Sequence, residues 1–328
     1  NIRRTYNNPD LRIDEAFSQW KGHKAPSFRE FIQKSEEIPT ELLTRKSWSD
    51  WKEASQFHTI PDCDQQAPEL NSLARAGMIT SPLYLQFLHD LLHAPTTPQT
   101  QLPQLVKHPY TASAYYLLWN KPGKALGFTS YFEAFRQLKE NKRYTSDLIE
   151  IIEYAQSKQI TRAEVSLPFP SPLELHGQYT MREVSSAFGK AHLESSGPTG
   201  TGVIPVKEHK LYLHFVTFEK TAKLFSESTM YRDYVRSRTK LHWESPSNTS
   251  QATPMGQNYI HQQERGNTIL FFARLRKAEG KLTSPFTYLG PATFVSAKGD
   301  RPIEMIWELE HPVTHSFFHE AKLAAGIA

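Results

Sequence analysis

Hydrophobic residues in the first half of the chain recur at intervals of three and four, the spacing that places them on one face of a helix. Leu83, Phe87 and Leu91 follow this interval and belong to a wide apolar stripe. Ser81-Pro82 stands just before the stripe and suits the first turn of a helix. Because the same spacing continues to residue 155, we predict an all-helical domain over residues 1–160.

The hydrophobic pattern changes near residue 170, where three closely spaced prolines would interrupt any helix. The β-rich runs that follow lie at residues 211–218, 269–273, 286–295 and 303–309. One helix is expected among them, because Thr180 and Glu183 have the spacing of a capping box. We therefore predict an α+β chain whose second domain, residues 161–328, is β-rich, either barrel-like or a curved sheet, with one or two helices.

Composition narrows the class of protein. The 328 residues include 38% hydrophobic and 12% aromatic residues, enough for the cores of two domains. No stretch approaches the ~20 apolar residues that a membrane span needs, so we expect a cytoplasmic protein with no membrane partner. The single cysteine, Cys63, excludes an internal disulfide framework and a cysteine-rich zinc site, and we expect neither a metal nor a cofactor. Because the chain begins with Asn1, we expect a processed protein or a piece of a longer one.

The net charge of +4 is matched by one basic and aromatic segment, residues 220–243. Six cationic residues stand there against Glu227 and Asp233. Cationic side chains neutralise phosphates and aromatic rings stack on unpaired bases, so this combination indicates a DNA-binding surface. A purely solvated basic surface is the alternative interpretation of the same run. The expected phosphate contacts are Lys220, Arg232, Arg236, Arg238 and Lys240.

Aromatic and polar residues in and after this segment complete the predicted site. The expected stacking residues are Tyr234, Trp243 and Tyr259, although Trp243 also suits a core position. Short polar side chains can hydrogen-bond to the edges of bases. The expected readers of a base or of a base modification are His242, Ser245, Asn248 and Gln257. If these residues act together, they should line one concave face of the second domain.

Several motifs of the second half resemble a known family. They lie at residues 215–220, 231–234, 241–245, 256–260, 270–274, 286–291 and 299–303. Together they are similar to a C-terminal domain of unknown function in bacterial superfamily 2 helicases that are fused to phospholipase-D-like nucleases. Residues 47–51 and the apolar helices of residues 70–155 resemble the helical connector upstream of that domain. Glu244 departs from the pattern, because the family often has Gln at this position.

The resemblance implies a role in restriction or anti-phage defence. The chain itself has no phosphate-binding loop, no Asp-Glu-Ala-His box and no HxK nuclease motif, so we expect it not to be an enzyme. We predict a DNA-binding, target-recognition module that reads specific or modified DNA. Its expected partners are DNA and the helicase and nuclease domains of the parent polypeptide, which the helical region would connect to the reader.

Two other functions remain open at this stage. The same region could be a protein-protein docking module that couples the helicase motor to a partner subunit, in which case the basic segment would contact acidic protein. A cryptic metal-dependent nuclease is the third possibility, because Glu279-Gly280-Lys281 has the tripeptide of paired-acid nucleases.

Overall fold

The computed structural model describes six stretches of the chain. These are residues 9–35, 37–95, 102–158, 165–219, 233–280 and 282–326. The chain divides into two units. The helical unit consists of residues 1–161 and 192–196, and the sheet unit consists of residues 162–191 and 197–328.

The helical unit contains the predicted succession of helices, which confirms this part of the predicted fold. Asn141 begins the last of them by accepting a hydrogen bond from Tyr144 N through its side chain. None of the helices in the described ranges has the length and apolar sequence of a bilayer-spanning segment. The helices are α1 Pro9–Phe17, α2 Phe28–Ser35, α3 Pro39–Leu43, α4 Trp48–Ala54, α5 Asn71–Gly77, α6 Pro82–His93, α7 Leu102–Leu105, α8 Thr111–Leu118, α9 Gly123–Leu126, α10 Tyr131–Glu140 and α11 Lys142–Ser157.

Trp48 and Trp51 lie in the aromatic core of the helical unit. Both side chains are fully buried, as their helical spacing suggests. The rings of Phe28 and Phe31 lie 5.2 Å from the ring of Trp48. Trp51 Nε1 donates a hydrogen bond to the carbonyl oxygen of Leu42 over 3.0 Å, so the buried indole nitrogen keeps a partner.

A short later segment, residues 192–196, belongs to the helical unit. The hydroxyl of Tyr116 donates to the carbonyl oxygen of His192 over 2.7 Å, and Gly123 N donates to the carbonyl oxygen of Leu193 over 2.6 Å. A Cβ atom at Gly123 would lie 2.8 Å from Leu193 Cγ. Only glycine therefore permits this close approach of the two segments.

The sheet unit is a mixed α+β domain, as predicted, with three helices in its described part rather than one or two. Thr180 and Glu183 form the expected capping box at the start of the first of these helices. The elements are β1 Gln178–Tyr179, α12 Met181–Ala187, β2 Val203–Val206, β3 Leu211–Thr217, β4 Tyr234–Val235, β5 Lys240–Glu244, α13 Pro254–Ile260, β6 Thr268–Arg274, β7 Ala278–Glu279, β8 Leu282–Thr283, β9 Phe286–Lys298, β10 Glu304–Leu309 and α14 His315–Ala324.

Eight strands of the described chain form one open sheet in the order β2-β3-β6-β9-β10-β5-β4, and β1 also pairs with β9. The pairing of β3 with β6 is parallel, whereas the other strand pairs of this sheet are antiparallel. The strands β2 and β4 stand at opposite ends of the order, so the sheet does not close. Of the two predicted shapes, the barrel is therefore not formed.

Alternation along the strands divides the sheet into two faces. One face carries Trp243, Phe271 and Trp307, which are buried in a core that also contains Tyr259 of α13. On the other face, Phe272 of β6 stacks on Phe215 and on Tyr288 at ring distances of 5.3 and 4.9 Å. The second face is thus apolar around β3, β6 and the first half of β9.

Candidate nucleic-acid interface

The second face of the sheet becomes polar and partly exposed where β4, β5, β10 and the end of β9 meet. In β5, Leu241 and Trp243 point into the core. Because successive side chains of a strand alternate, Lys240, His242 and Glu244 point to the other side. The strand register places their partners in β4, β9 and β10 on the same side. We call this surface the polar half-face, and it consists of Tyr234, Lys240, His242, Glu244, Ser296, Lys298, Glu304, Ile306 and Glu308.

An aromatic pair lies at the centre of the polar half-face. The rings of Tyr234 and His242 are stacked at a centroid distance of 4.5 Å and an interplanar angle of 13°. His242 is 6% exposed, and its Nε2 lies 3.5 Å from Glu304 Oε2. Lys298 Nζ approaches the same carboxylate to 3.0 Å. The Lys298 ammonium, with a smaller contribution from His242, lowers the pKa of Glu304.

The cations of the predicted phosphate contacts are arranged around one hairpin turn. Arg236 N donates to the carbonyl oxygen of Lys240 over 2.7 Å and closes this turn, and both side chains are exposed. Lys240 Nζ lies 3.9 Å from Glu308 Oε2. Arg238 is directed elsewhere, because its Nε donates to the carbonyl oxygen of Val313 over 2.7 Å. Arg236 and Lys240 therefore lie at the same exposed turn, whereas Arg238 stabilises the segment that precedes α14.

Two of the three predicted stacking residues are in the core. Trp243 is 4% exposed and Tyr259 is 1% exposed, and their rings meet edge to face at 5.4 Å. Both also pack against the ring of His214, at 4.5 and 5.2 Å respectively. Stacking on a base requires an exposed ring face, which neither residue has. We therefore correct the stacking assignment of Trp243 and Tyr259 to a packing role and retain Tyr234, which is partly exposed.

The predicted base readers also separate into structural and exposed residues. Ser245 is fully buried, and its Oγ accepts a hydrogen bond from Ile303 N over 2.9 Å. Gln257 Nε2 donates to the carbonyl oxygen of Gln251 over 2.9 Å, so it stabilises the loop after β5. Asn248 lies at the exposed part of that loop and is the member of this set that faces solvent most openly.

Two predicted contacts, Lys220 and Arg232, lie outside the described residues. The same is true of Lys281 and of the side chain of Glu279, on which the nuclease alternative depends. Across the described stretches, no three His, Cys, Asp or Glu side chains are close enough together to hold a metal ion.

Sequence reasoning missed Lys298 and Glu304 as members of the candidate site. The alternation of residues 303–309 does indicate that Glu304 and Glu308 face away from the core. However, His242 and Glu304 are separated by 62 positions, and their proximity depends on the register between β5 and β10. A single sequence provides no signal for that register.

The polar half-face lies within a segment that matches a known family model. Residues 173–321 match the model of a domain of unknown function, DUF3427. The DUF3427 match begins before β1 and ends within α14, so it covers the whole sheet described above. It confirms the expectation of a domain of unknown function in the second half of the chain, whereas the association with helicase and nuclease domains stays a prediction. A search of curated proteins finds no match to the chain.

Proposed function

We propose that the DUF3427 region is a DNA-recognition module that binds DNA on the polar half-face. The observation that carries this proposal is the stacked pair of Tyr234 and His242, whose partly exposed tyrosine ring lies on the same face of the sheet as the exposed cation Lys240. A partly exposed ring offers a stacking platform for a base, and a neighbouring ammonium group can neutralise a phosphate. Both components are needed to hold the backbone and inspect a base at once.

The charges of the polar half-face suggest how such a DNA contact would be divided. Arg236 and Lys240 at the hairpin end would contact the phosphates. Glu244, Glu304 and Glu308 would repel phosphates but can accept hydrogen bonds from the amino group of cytosine. We therefore place the DNA backbone along the hairpin and a base near the Tyr234–His242 pair, with Asn248 as a further reader.

The wider context of this proposal rests on the family resemblance. In a helicase-nuclease of the restriction or anti-phage type, a DNA reader would direct the motor and the nuclease to specific or modified DNA. The helical unit would be the connector between the reader and those domains. The chain is then a recognition region with no catalytic activity of its own.

A binding experiment on the full chain tests the proposal. Fluorescence anisotropy would measure affinity for labelled single-stranded and duplex DNA, with and without methylated cytosine, across a series of salt concentrations. The double variant Arg236→Glu with Lys240→Glu should lose most of the affinity and reduce the log–log salt slope by about 2, because each phosphate contact contributes roughly 0.9. The control Lys207→Glu reverses an exposed cation next to β2, at the opposite edge of the sheet, and should bind normally.

A protein-docking function is the second candidate, and the mixed charge of the polar half-face favours it. Glu244, Glu304 and Glu308 alternate there with Lys240 and Lys298, a pattern that complements a charged protein surface as well as DNA. Two results would favour the protein-docking function over DNA binding. One is the absence of DNA affinity at low salt, and the other is equal DNA affinity of the wild type and the double variant.

A further inference from the structure

Arg274, the last residue of β6, is a half-buried cation that its surroundings hold in one position. Its Nε donates to Thr217 Oγ1 over 3.0 Å, and its Nη1 donates to the carbonyl oxygen of Ser284 over 3.1 Å. The guanidinium carbon also lies 4.2 Å from the centroid of the Phe286 ring. These three contacts fix the plane of the guanidinium group and leave Nη2 without a protein partner among the described residues.

No described carboxylate neutralises this cation. The neighbouring Arg276 pairs with Glu219, two residues after β3, because its Nε lies 2.5 Å from Glu219 Oε2. Burial lowers the pKa of Arg274 to about 10, and no carboxylate of the described residues opposes that effect. Even a half-buried charge without a counter-ion lowers stability, and an anion bound beside it would offset that cost.

Ser284 provides an independent observation at the same place. It is 7% exposed, and its Oγ is buried without a hydrogen-bond partner among the described residues. The carbonyl oxygen of the same residue accepts from Arg274 Nη1, so the residue that carries this hydroxyl is in direct contact with the guanidinium group. Buried hydroxyl groups are normally hydrogen-bonded. A bound ligand with an acceptor oxygen would therefore supply the partner that Ser284 lacks among the described residues.

We infer that Arg274, Ser284 and Thr217 form a binding site for a phosphate-type oxyanion. The two N–H groups of Nη2 would donate to one or two oxygens of the anion, and the Ser284 hydroxyl would donate to another. Thr217 Oγ1 already accepts from Arg274 Nε, so its own hydrogen is available to the anion as well. The three residues belong to β3, β6 and the segment before β9, away from the strands of the polar half-face, so the inference does not depend on the proposed DNA contact.

Thermal unfolding of the full chain in inorganic phosphate tests the site. The unfolding midpoint should rise with the logarithm of the phosphate concentration, relative to sodium chloride at equal ionic strength. Arg274→Met should abolish this shift, and Ser284→Ala should reduce it. The matched control is Arg276→Met, which removes the neighbouring arginine that already has an acid partner and should keep the shift.

The stability of Arg274→Met without phosphate separates a binding role from a structural one. If the site exists to bind an anion, removal of an unpaired buried charge should leave the midpoint unchanged or higher. If Arg274 only anchors Thr217 and Ser284, the midpoint should fall and the phosphate shift should survive. A variant that fails to fold is replaced by Arg274→Lys, which keeps the charge, lacks the planar fork and should show a weakened shift.

Measurements of DNA affinity distinguish a phosphate of the DNA backbone from a free phosphate or a small phosphorylated molecule. Lower DNA affinity of Arg274→Met, together with competition by inorganic phosphate, would identify a phosphodiester of the DNA backbone as the ligand. Unchanged DNA affinity with a lost phosphate shift would identify a small phosphorylated molecule or the free ion. A phosphate shift that is absent in the wild type, or identical in the wild type and Arg274→Met, overturns the inference, whatever the outcome for DNA binding.

Discussion

A network of the helical unit pairs its buried charges, whereas two titratable groups of the sheet unit lack such partners among the described residues. In the helical unit, α11 presents Arg143, Asp147 and Glu150, and all three have partners of complementary chemistry. Glu150 accepts hydrogen bonds from Trp48 Nε1 over 2.8 Å and from Lys52 Nζ over 2.9 Å. Arg143 pairs with Asp50 at 2.7 Å, and Asp147 accepts from Ser49 Oγ over 2.6 Å. These contacts tie α11 to α4.

The sheet unit contains titratable groups that lack such partners. His214 is fully buried, and both of its ring nitrogens are without a hydrogen-bond partner in the described part of the chain. The neighbouring rings are those of Trp243, Tyr259, Phe271 and Trp307, at 4.5 to 6.0 Å. Burial alone lowers the pKa of His214 to about 3. Arg274 is the second such group, since none of the described carboxylates lies beside it.

Paired and unpaired buried groups affect folding stability differently. A paired buried charge stabilises one arrangement and responds little to pH or ligands. An unpaired one lowers stability until something neutralises it, which makes it responsive to pH or to an anion. On this argument, the contacts between α4 and α11 favour one arrangement of the helical unit, whereas His214 and Arg274 make the sheet unit responsive to pH or to an anion.

Removal of Glu150 should have the largest effect on stability. Glu150→Ala leaves the buried ammonium of Lys52 and the indole nitrogen of Trp48 without an acceptor. Breaking a buried pair from one side costs ~3–5 kcal/mol, and we expect the lower end because the Glu150 side chain is 21% exposed. Denaturant unfolding near neutral pH would measure this loss.

The matched control uses an exposed residue of the same helix. Glu153→Ala removes the same charge and side chain from the solvent-facing side of α11 and should change stability by less than ~0.5 kcal/mol. Equal losses in the two variants would mean that the paired network is not what stabilises the helical unit, and the comparison between the units would no longer hold.

Acidification should produce the next largest effect, through His214. The folded state disfavours the imidazolium, so its contribution to stability is complete above pH 6.5 and is lost progressively as the pH falls towards 3. The slope is ~1.4 kcal/mol per pH unit, so this residue alone should lower stability by ~2 kcal/mol at pH 5. His214→Phe should remove that slope.

The measurement compares the slopes of stability against pH in the wild type and in the variant. The comparison of slopes cancels any constant packing cost of the larger ring, as well as the titration of other groups such as Asp147. His319→Phe, on the exposed side of α14, should retain the full wild-type slope. Parallel curves for the wild type and His214→Phe would show that His214 is not held as a neutral, unpaired ring.

Much of the fold could be predicted from the sequence because its signals are local. The helical spacing, the capping box of Thr180 and Glu183, and the alternation of Met305 and Trp307 with Glu304 each involve residues a few positions apart. Local patterns decide the type of an element and which of its sides is apolar. The open edge of the sheet depends instead on pairing between distant strands, which is why a barrel and a curved sheet were equally compatible with the sequence.

The candidate site was less predictable, because composition does not reveal which side of a strand is covered. Trp243 and His242 are neighbours in the same basic, aromatic segment, and both suited a binding role. Alternation sends them to opposite faces, and α13 then covers the face of Trp243 with Tyr259. The charge environment of Arg274 also depends on residues far apart in the sequence, since Glu219 pairs with Arg276 across 57 positions.

The smallest effect on stability is expected at Tyr234, which tests the recognition side of the comparison. Its stack on His242 is a cross-strand pair at the sheet edge, so Tyr234→Ala should cost less than ~1 kcal/mol of folding stability. The same change should weaken DNA binding by ~1–3 kcal/mol if the ring stacks on a base. Thermal unfolding and anisotropy measured on the same samples would separate the two effects.

Tyr234→Phe is the decisive companion, because it keeps the ring and removes the hydroxyl. Stacking depends on the ring face, so this variant should bind DNA as well as the wild type does. Equal losses in the Phe and Ala variants would assign the contribution to a hydrogen bond of the hydroxyl. Normal binding by both variants would show that the Tyr234–His242 pair does not contact DNA, and the proposed DNA contact on the polar half-face would lose the observation that carries it.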